Sequence, residues 1–152
     1  MSRLAIPKND SCQYAGRPLL PHPIRLRGGW EMVSDQGRTP VNLPTIWSKG
    51  VAGFARLERH FQWPATNAET EQIFLLFLDV EGLREIQLDG NPLAAQGGAA
   101  FAIPIKPGKF GRSLLQLIVD FAGIAPGTPW GKVALVVALH ESNASDIARL
   151  DL

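Results

Sequence analysis

Disulfides are excluded at once, because the 152 residues include a single cysteine, Cys12, and an intrachain bridge needs two. Secreted domains of this size often carry a pair, so the count leans towards a reducing compartment. Nothing basic neighbours Cys12 closely, and it is read as inert. Charge is also scarce. Asp, Glu, Lys and Arg make up 19% of the chain, against a typical ~25%. The 15 basic and 14 acidic side chains nearly cancel, to a net +1. This excludes a nucleic-acid binder driven by raw charge. With 45% hydrophobic residues, it also excludes a disordered chain. Long apolar runs are lacking. The longest, Val133 to Leu139, is seven residues, and Ile73 to Leu78 is six, far below the ~20 that span a bilayer. Residues 1–10 contain no apolar run of signal-peptide length. A cytoplasmic protein with no membrane or nucleic-acid partner is therefore expected. The triplet Asn143-Ala144-Ser145 fits a glycosylation site but lacks a secretory context. No GxSxG, HExxH, P-loop or paired CxxC occurs. His22, His60 and His140 are far apart, and no metal site is assigned to them.

Turn formers and patterned apolar residues are what the chain does have. Gly 15 and Pro 12 imply many turns. At this length one domain is expected, burying about 68–70% of the unfolded surface. Residues 1–21 show no period and are read as an arm. Residues 22–141 read as a run of strands. Ile24 and Leu26 alternate with Arg25 and Arg27 as far as Gly28-Gly29-Trp30. Val41 and Leu43 form a short extended piece. From Phe54 to Trp63, Ala55, Leu57, Arg59, Phe61 and Trp63 share one face. Ile73–Leu78 is apolar on both faces, as in a strand covered on both sides. Leu83–Leu88 runs into Asp89-Gly90-Asn91-Pro92, a hairpin signal. Phe101, Ile103 and Ile105 alternate, as do Leu115, Leu117, Val119 and Phe121. The segment from Ala122 to Gly131 reads as a loop, and Val133–Leu139 as the last strand. In residues 142–152 a short helix or tail is expected, with Asn143 as cap and Ala144, Ile147, Ala148 and Leu150 on one packed face. Strands at roughly ten-residue spacing predict an all-β sandwich or barrel. A barrel-shaped nucleic-acid module is the second option, but such modules need fewer strands and a basic face.

Several residues fall in a familiar order. Trp30 is followed by Val41-Asn42-Leu43-Pro44 and Trp47. Gly53, Leu57-Glu58-Arg59-His60-Phe61 and Pro64 come next. Then Leu75–Gly82 leads to Ile86-Gln87-Leu88-Asp89-Gly90-Asn91, Phe101 with Ile103 and Ile105, Leu114–Val119, Gly131 and Val133-Ala134-Leu135. This order resembles the N-terminal sugar-binding domain of family 2 glycoside hydrolases, over about residues 24 to 139. The resemblance implies an antiparallel β-sandwich, a jelly roll of the galactose-binding-like type. Arg59 and Phe61 match the family's aromatic-Arg-Arg-x-Phe strand, whereas Leu57 and Glu58 depart from it. In those hydrolases the catalytic carboxylates sit on a separate (β/α)₈ barrel of about 250 residues. The resemblance therefore implies an accessory domain and not an enzyme. Two loops of that domain reach the active site in the family, and by order they correspond here to Thr45–Gly53 and Ala122–Gly131. Neither segment contains Asp, Glu, Asn or His. Many such jelly rolls hold a structural Ca²⁺, but no oxygen-ligand cluster stands out here and no cofactor is assigned.

The residues themselves offer few sites. Arg59 is a single guanidinium on an apolar face and needs a partner. A structural ion pair with Asp79 is expected, with Asp120 the other option. Asp79 and Glu81 would share a side if the strand continued, and they are read as solvating a turn. Trp30, Trp47 and Trp63 read mainly as core. Trp130 stands between Pro129 and Gly131 and is expected at the surface, where a ring could stack on the C–H face of a sugar. By loop order the expected ligand-binding set is Trp47, Lys49, Trp130 and Lys132, with Ser48 nearby. The leading expectation is a non-catalytic carbohydrate-binding module. The alternative is a protein-protein interaction or assembly module with no sugar site, an oligomer being left open. Burial of Trp130 at a closed loop end would remove the sugar reading. A pocket gathering Asp79, Glu81 and His60 would favour an enzyme.

Overall fold

The computed structural model describes residues 20–47, 53–94, 99–107 and 111–152. Among the described residues, twelve strands, one 3-10 turn (Phe121–Gly123) and one short α-helix follow in order. They are β1 (His22–Arg25), β2 (Trp30–Ser34), β3 (Gly37–Val41), β4 (Thr45–Ile46), β5 (Phe54–Gln62) and β6 (Glu71–Leu78). There follow β7 (Leu83–Leu88), β8 (Asn91–Leu93), β9 (Ala100–Ile105), β10 (Arg112–Asp120), β11 (Pro129–Trp130), β12 (Lys132–Leu139) and α1 (Ala144–Ile147). A four-stranded sheet runs β1-β12-β6-β9, and a six-stranded sheet runs β3-β2-β5-β10-β7-β8. A two-stranded ladder joins β4 to β11. Neighbouring strands are antiparallel throughout. The chain is an all-β sandwich, as its alternation predicts.

The interior follows from that alternation. Along β10, Ser113, Leu115, Leu117 and Val119 are buried, while Leu114, Gln116, Ile118 and Asp120 are half-buried. Leu57 and Ile86 join them from the neighbouring strands, and Leu75, Phe77, Val133 and Leu135 face them from the other sheet. β6 and β12 are apolar on both faces because the outer face is covered too. Phe74, Leu76, Val136 and Ala138 pack there against Ile147 of α1, with Leu150 and Leu152 alongside. Asn143 caps α1, its side-chain oxygen accepting from the Asp146 N–H at 3.0 Å. A helix of four residues has too few internal bonds to stand alone. Burial of Ile147, worth roughly 1.5–3 kcal/mol, holds it on the sheet.

One pair of strands departs from expectation. Trp30 opens β2 instead of closing the strand before it, and β2 and β3 form a hairpin. The turn passes through Gly37 at φ +114°. β3 is an exposed edge strand and tolerates Pro40 for that reason. The Asp89-Gly90 hairpin forms, with φ of +52° and +81°, the positive angles that a tight two-residue turn requires.

Candidate functional site

The candidate site is built where β6 ends. Asp79 takes φ +55°, a left-handed conformation that an aspartate tolerates better than most residues, and the strand stops. Val80 turns inward and is buried, while Glu81 stays exposed. Gly82 follows because only glycine fits. A Cβ there would lie 2.5 Å from the Asp120 carbonyl oxygen, at φ +87°. The turn is thus pressed against the end of β10.

β11 arrives from the other side. Pro129 pairs with Ile46 and Trp130 with Thr45, so the Gly/Pro segment contains a short ladder. Trp130 is only 2% exposed. Its indole N–H donates to the Glu81 carbonyl at 2.7 Å, and its ring lies 6.0 Å from that of Trp47. Trp47 in turn stands edge-on to Phe121 at 5.0 Å. The expected exposed platform at Trp130 is therefore corrected. A partner carbonyl and a neighbouring aromatic ring make burial of the indole favourable, and a loop composition does not reveal either. The Trp47 indole nitrogen is enclosed and has no hydrogen-bond partner among the described residues.

The loop end is nevertheless not closed. A cleft of about 270 Å³ lies against Trp130, with Asp79, Glu81, Ile124, Thr128 and Pro129 among its lining residues. Asp79 presents a carboxylate that is 53% exposed, 3.7 Å from the Lys132 ammonium. The Thr128 hydroxyl donates to the Ala125 carbonyl at 3.0 Å, which leaves its oxygen free to accept. The cleft thus combines two acidic residues, a threonine and an apolar wall. Of the expected ligand-binding set, Trp130 borders this cleft and Lys132 reaches it through Asp79. Trp47 lies behind Trp130. Lys49, like Ser48 and Cys12, lies outside the described residues.

The expected ion pair between Arg59 and Asp79 is also corrected. Arg59 Nε donates to the Gly28 carbonyl at 2.5 Å and Nη1 to the His60 carbonyl at 2.9 Å. Asp79 pairs with Lys132, whose strand register sets it opposite Leu78. Asp120, the other option, pairs with Arg84 at 3.2 Å. His60 lines a different cleft on β5, so Asp79, Glu81 and His60 do not converge.

Sequence reasoning missed a second polar cluster. Glu58 is 7% exposed and accepts from Arg38 at 2.8 Å and from the Gln116 amide at 2.6 Å. Arg56 Nε stands 3.0 Å from Oε2, the oxygen that accepts from Gln116. Burial would push the Glu58 carboxyl up, but these hydrogen bonds and the two guanidinium charges outweigh it and hold the carboxyl below its ordinary value. Among the described residues no three or more His, Cys, Asp or Glu side chains are grouped so as to hold a metal ion. No described helix is long and apolar enough to cross a membrane.

Several solved structures share the fold. An FMN-binding β-glucuronidase from Facaelibacterium prausnitzii L2-6 matches with a TM-score of 0.63 and 18% identity, over 79% of this chain and 23% of its own. A β-D-glucuronidase from Dictyoglomus thermophilum gives 0.61 and 16%, over 80% and 29%. A family 2 β-galacturonidase from Eisenbergiella tayi, bound to galacturonate, gives 0.58 and 19%, over 78% and 25%. At these identities the likeness is one of fold. The sandwich implied by the sequence resemblance is the one observed, and the chain spans about a quarter of the length of the proteins it matches. No protein-family model matches the chain, and no curated protein does.

Proposed function

We propose that the chain is a non-catalytic carbohydrate-binding module whose ligand lies in the cleft between Asp79, Glu81 and Pro129. One observation carries this reading. Two acidic residues and a threonine line a single cleft with an apolar wall. Sugar hydroxyls donate well to ionised acceptors, and a sugar's C–H face sits on apolar surface. A concave site with a few placed polar groups is the usual form of a small-molecule pocket. Trp130 contributes a fixed wall, not a stacking platform. The names of the fold's neighbours add support, since they are glucuronidases and a galacturonidase, one with galacturonate bound. Affinity for a single sugar unit is expected to be weak and to rise with multivalency.

A glycan array with the wild-type chain and with Asp79→Asn tests the reading. Asparagine tolerates the left-handed backbone at 79, so the variant keeps the turn while losing the charge. Saturable binding to a sugar, weakened at least about tenfold in the variant, is the expected result. No binding to any glycan would overturn it.

The second reading, an interaction or assembly module, rests on Ile46 and Phe54. They are 60% and 69% exposed and flank the same loop end. Exposed apolar side chains of this size mark contact surfaces when they cluster. A stable dimer in solution that is lost in Phe54→Ser, with the array blank, would favour it.

A further inference from the structure

The loop-end cleft leaves several arginines without a role. Their placement follows from a gap in the six-stranded sheet. β10 runs along the full length of β5, but β2 pairs with β5 only from Arg56 to Glu58. Beyond Glu58 that edge of β5 has no neighbouring strand among the described residues. β1, at the edge of the other sheet, pairs with β12 alone. A cleft of about 450 Å³ opens between the two edges, with Arg25, Arg59, His60, Gln62 and Arg112 on its walls and Phe61 beneath.

Arg59 is the fixed member. It projects from the inward face of β5, between buried Leu57 and Phe61. Two backbone carbonyls, of Gly28 and His60, hold it. Its guanidinium lies flat on Gly29, where a Cβ would stand 3.5–3.8 Å away. Only two of its N–H groups are used, out of the five that a guanidinium carries. Partial burial lowers its pKa from the ordinary value, so the charge is held at a cost that no carboxylate among the described residues offsets. Arg25 and Arg112 likewise form no ion pair among the described residues. The carboxylates that do pair with arginine are Glu31, Glu58 and Asp120, and none of them borders this cleft. Three arginines therefore line one concave space, and no acid is on its walls among the described residues.

We infer that this cleft binds an oxyanion, the carboxylate, sulfate or phosphate group of a ligand, with Arg59 as the pre-set fork and Arg25 and Arg112 closing on it. A planar guanidinium already fixed through one edge offers its remaining donors in the geometry that bidentate recognition needs. The site is separate from the sugar cleft and does not depend on it.

The test is a titration of the full chain by calorimetry and ¹⁵N NMR, with sodium sulfate in one arm and sodium glucuronate in the other. Sodium chloride keeps the ionic strength constant. Saturable binding is expected in at least one arm, with the largest shifts at Arg25, Arg59 and Arg112. Preference for sulfate marks a free inorganic ion as the source, and preference for glucuronate marks an acidic sugar. Arg25→Gln and Arg112→Gln change exposed side chains, so the fold should persist, and each should weaken binding at least about fivefold. Arg59→Lys, which keeps the charge and loses the fork, should weaken it as well. Asp79→Asn should leave it unchanged. Absence of saturation in both arms would overturn the inference, as would undiminished binding by the Arg25 and Arg112 variants.

Discussion

Glu58 shows how much one side chain's surroundings decide. Arg38, Arg56 and Gln116 all converge on its carboxylate, and they keep its pKa depressed in the folded state. The unfolded chain then takes up the proton first as pH falls, so stability declines with acid. The contribution is complete above the unfolded glutamate value of about 4.3 and fades as pH drops through the lower folded value. Glu58→Gln should cost about 1.5–3 kcal/mol at pH 7, the worth of hydrogen bonds to a charged group. Urea unfolding at pH 7 and pH 3 checks this, and the gap from the wild type should shrink at the lower pH. The cluster was not legible in the sequence, because Glu58 and Gln116 meet only through the β5–β10 register. Arg59 was legible as a residue needing partners, but not in its choice of them. Backbone carbonyls leave no trace in residue identity. The burial of Trp130 is hidden from the sequence for a similar reason. Its Gly and Pro neighbours signal a loop, while its burial comes from the Glu81 carbonyl and the ring of Trp47.

At the scale of elements, legibility tracked one-sided burial. β10 alternates because one face meets the core and the other does not, so its period could be read directly. β3 is exposed at four of its five positions, so no apolar period marks it, and the β2–β3 hairpin went unseen. α1 is a clearer case. The cap at Asn143 and the apolar positions 144, 147, 148 and 150 were visible, and together they cover the outer face of β6 and β12. Ile147 is the buried member. Ile147→Ala should destabilise the fold by about 2–5 kcal/mol, the usual cost of truncating a buried isoleucine. A thermal melt of the variant checks it. A melting temperature equal to that of the wild type would mean that α1 adds nothing to the sandwich.

At the scale of the molecule, the two sheets set out two clefts of opposite chemistry. The turn after β6 places carboxylates at the loop end, and the unpaired stretch of β5 places guanidiniums at the seam. Neither cleft could be located from the sequence, although Asp79, Glu81 and Arg59 each drew notice. Which residues share a cleft depends on strand order, and strand order here runs β3-β2-β5-β10-β7-β8 against β1-β12-β6-β9. The proposed sugar ligand belongs in the acidic cleft. The most direct test of that placement is a ¹⁵N–¹H NMR titration of the wild-type chain with the sugar that binds best on the array. Saturable shifts confined to Asp79, Glu81, Thr128 and the Trp130 indole N–H are expected. Shifts centred instead on Ile46 and Phe54, or none at a saturating concentration, would contradict it.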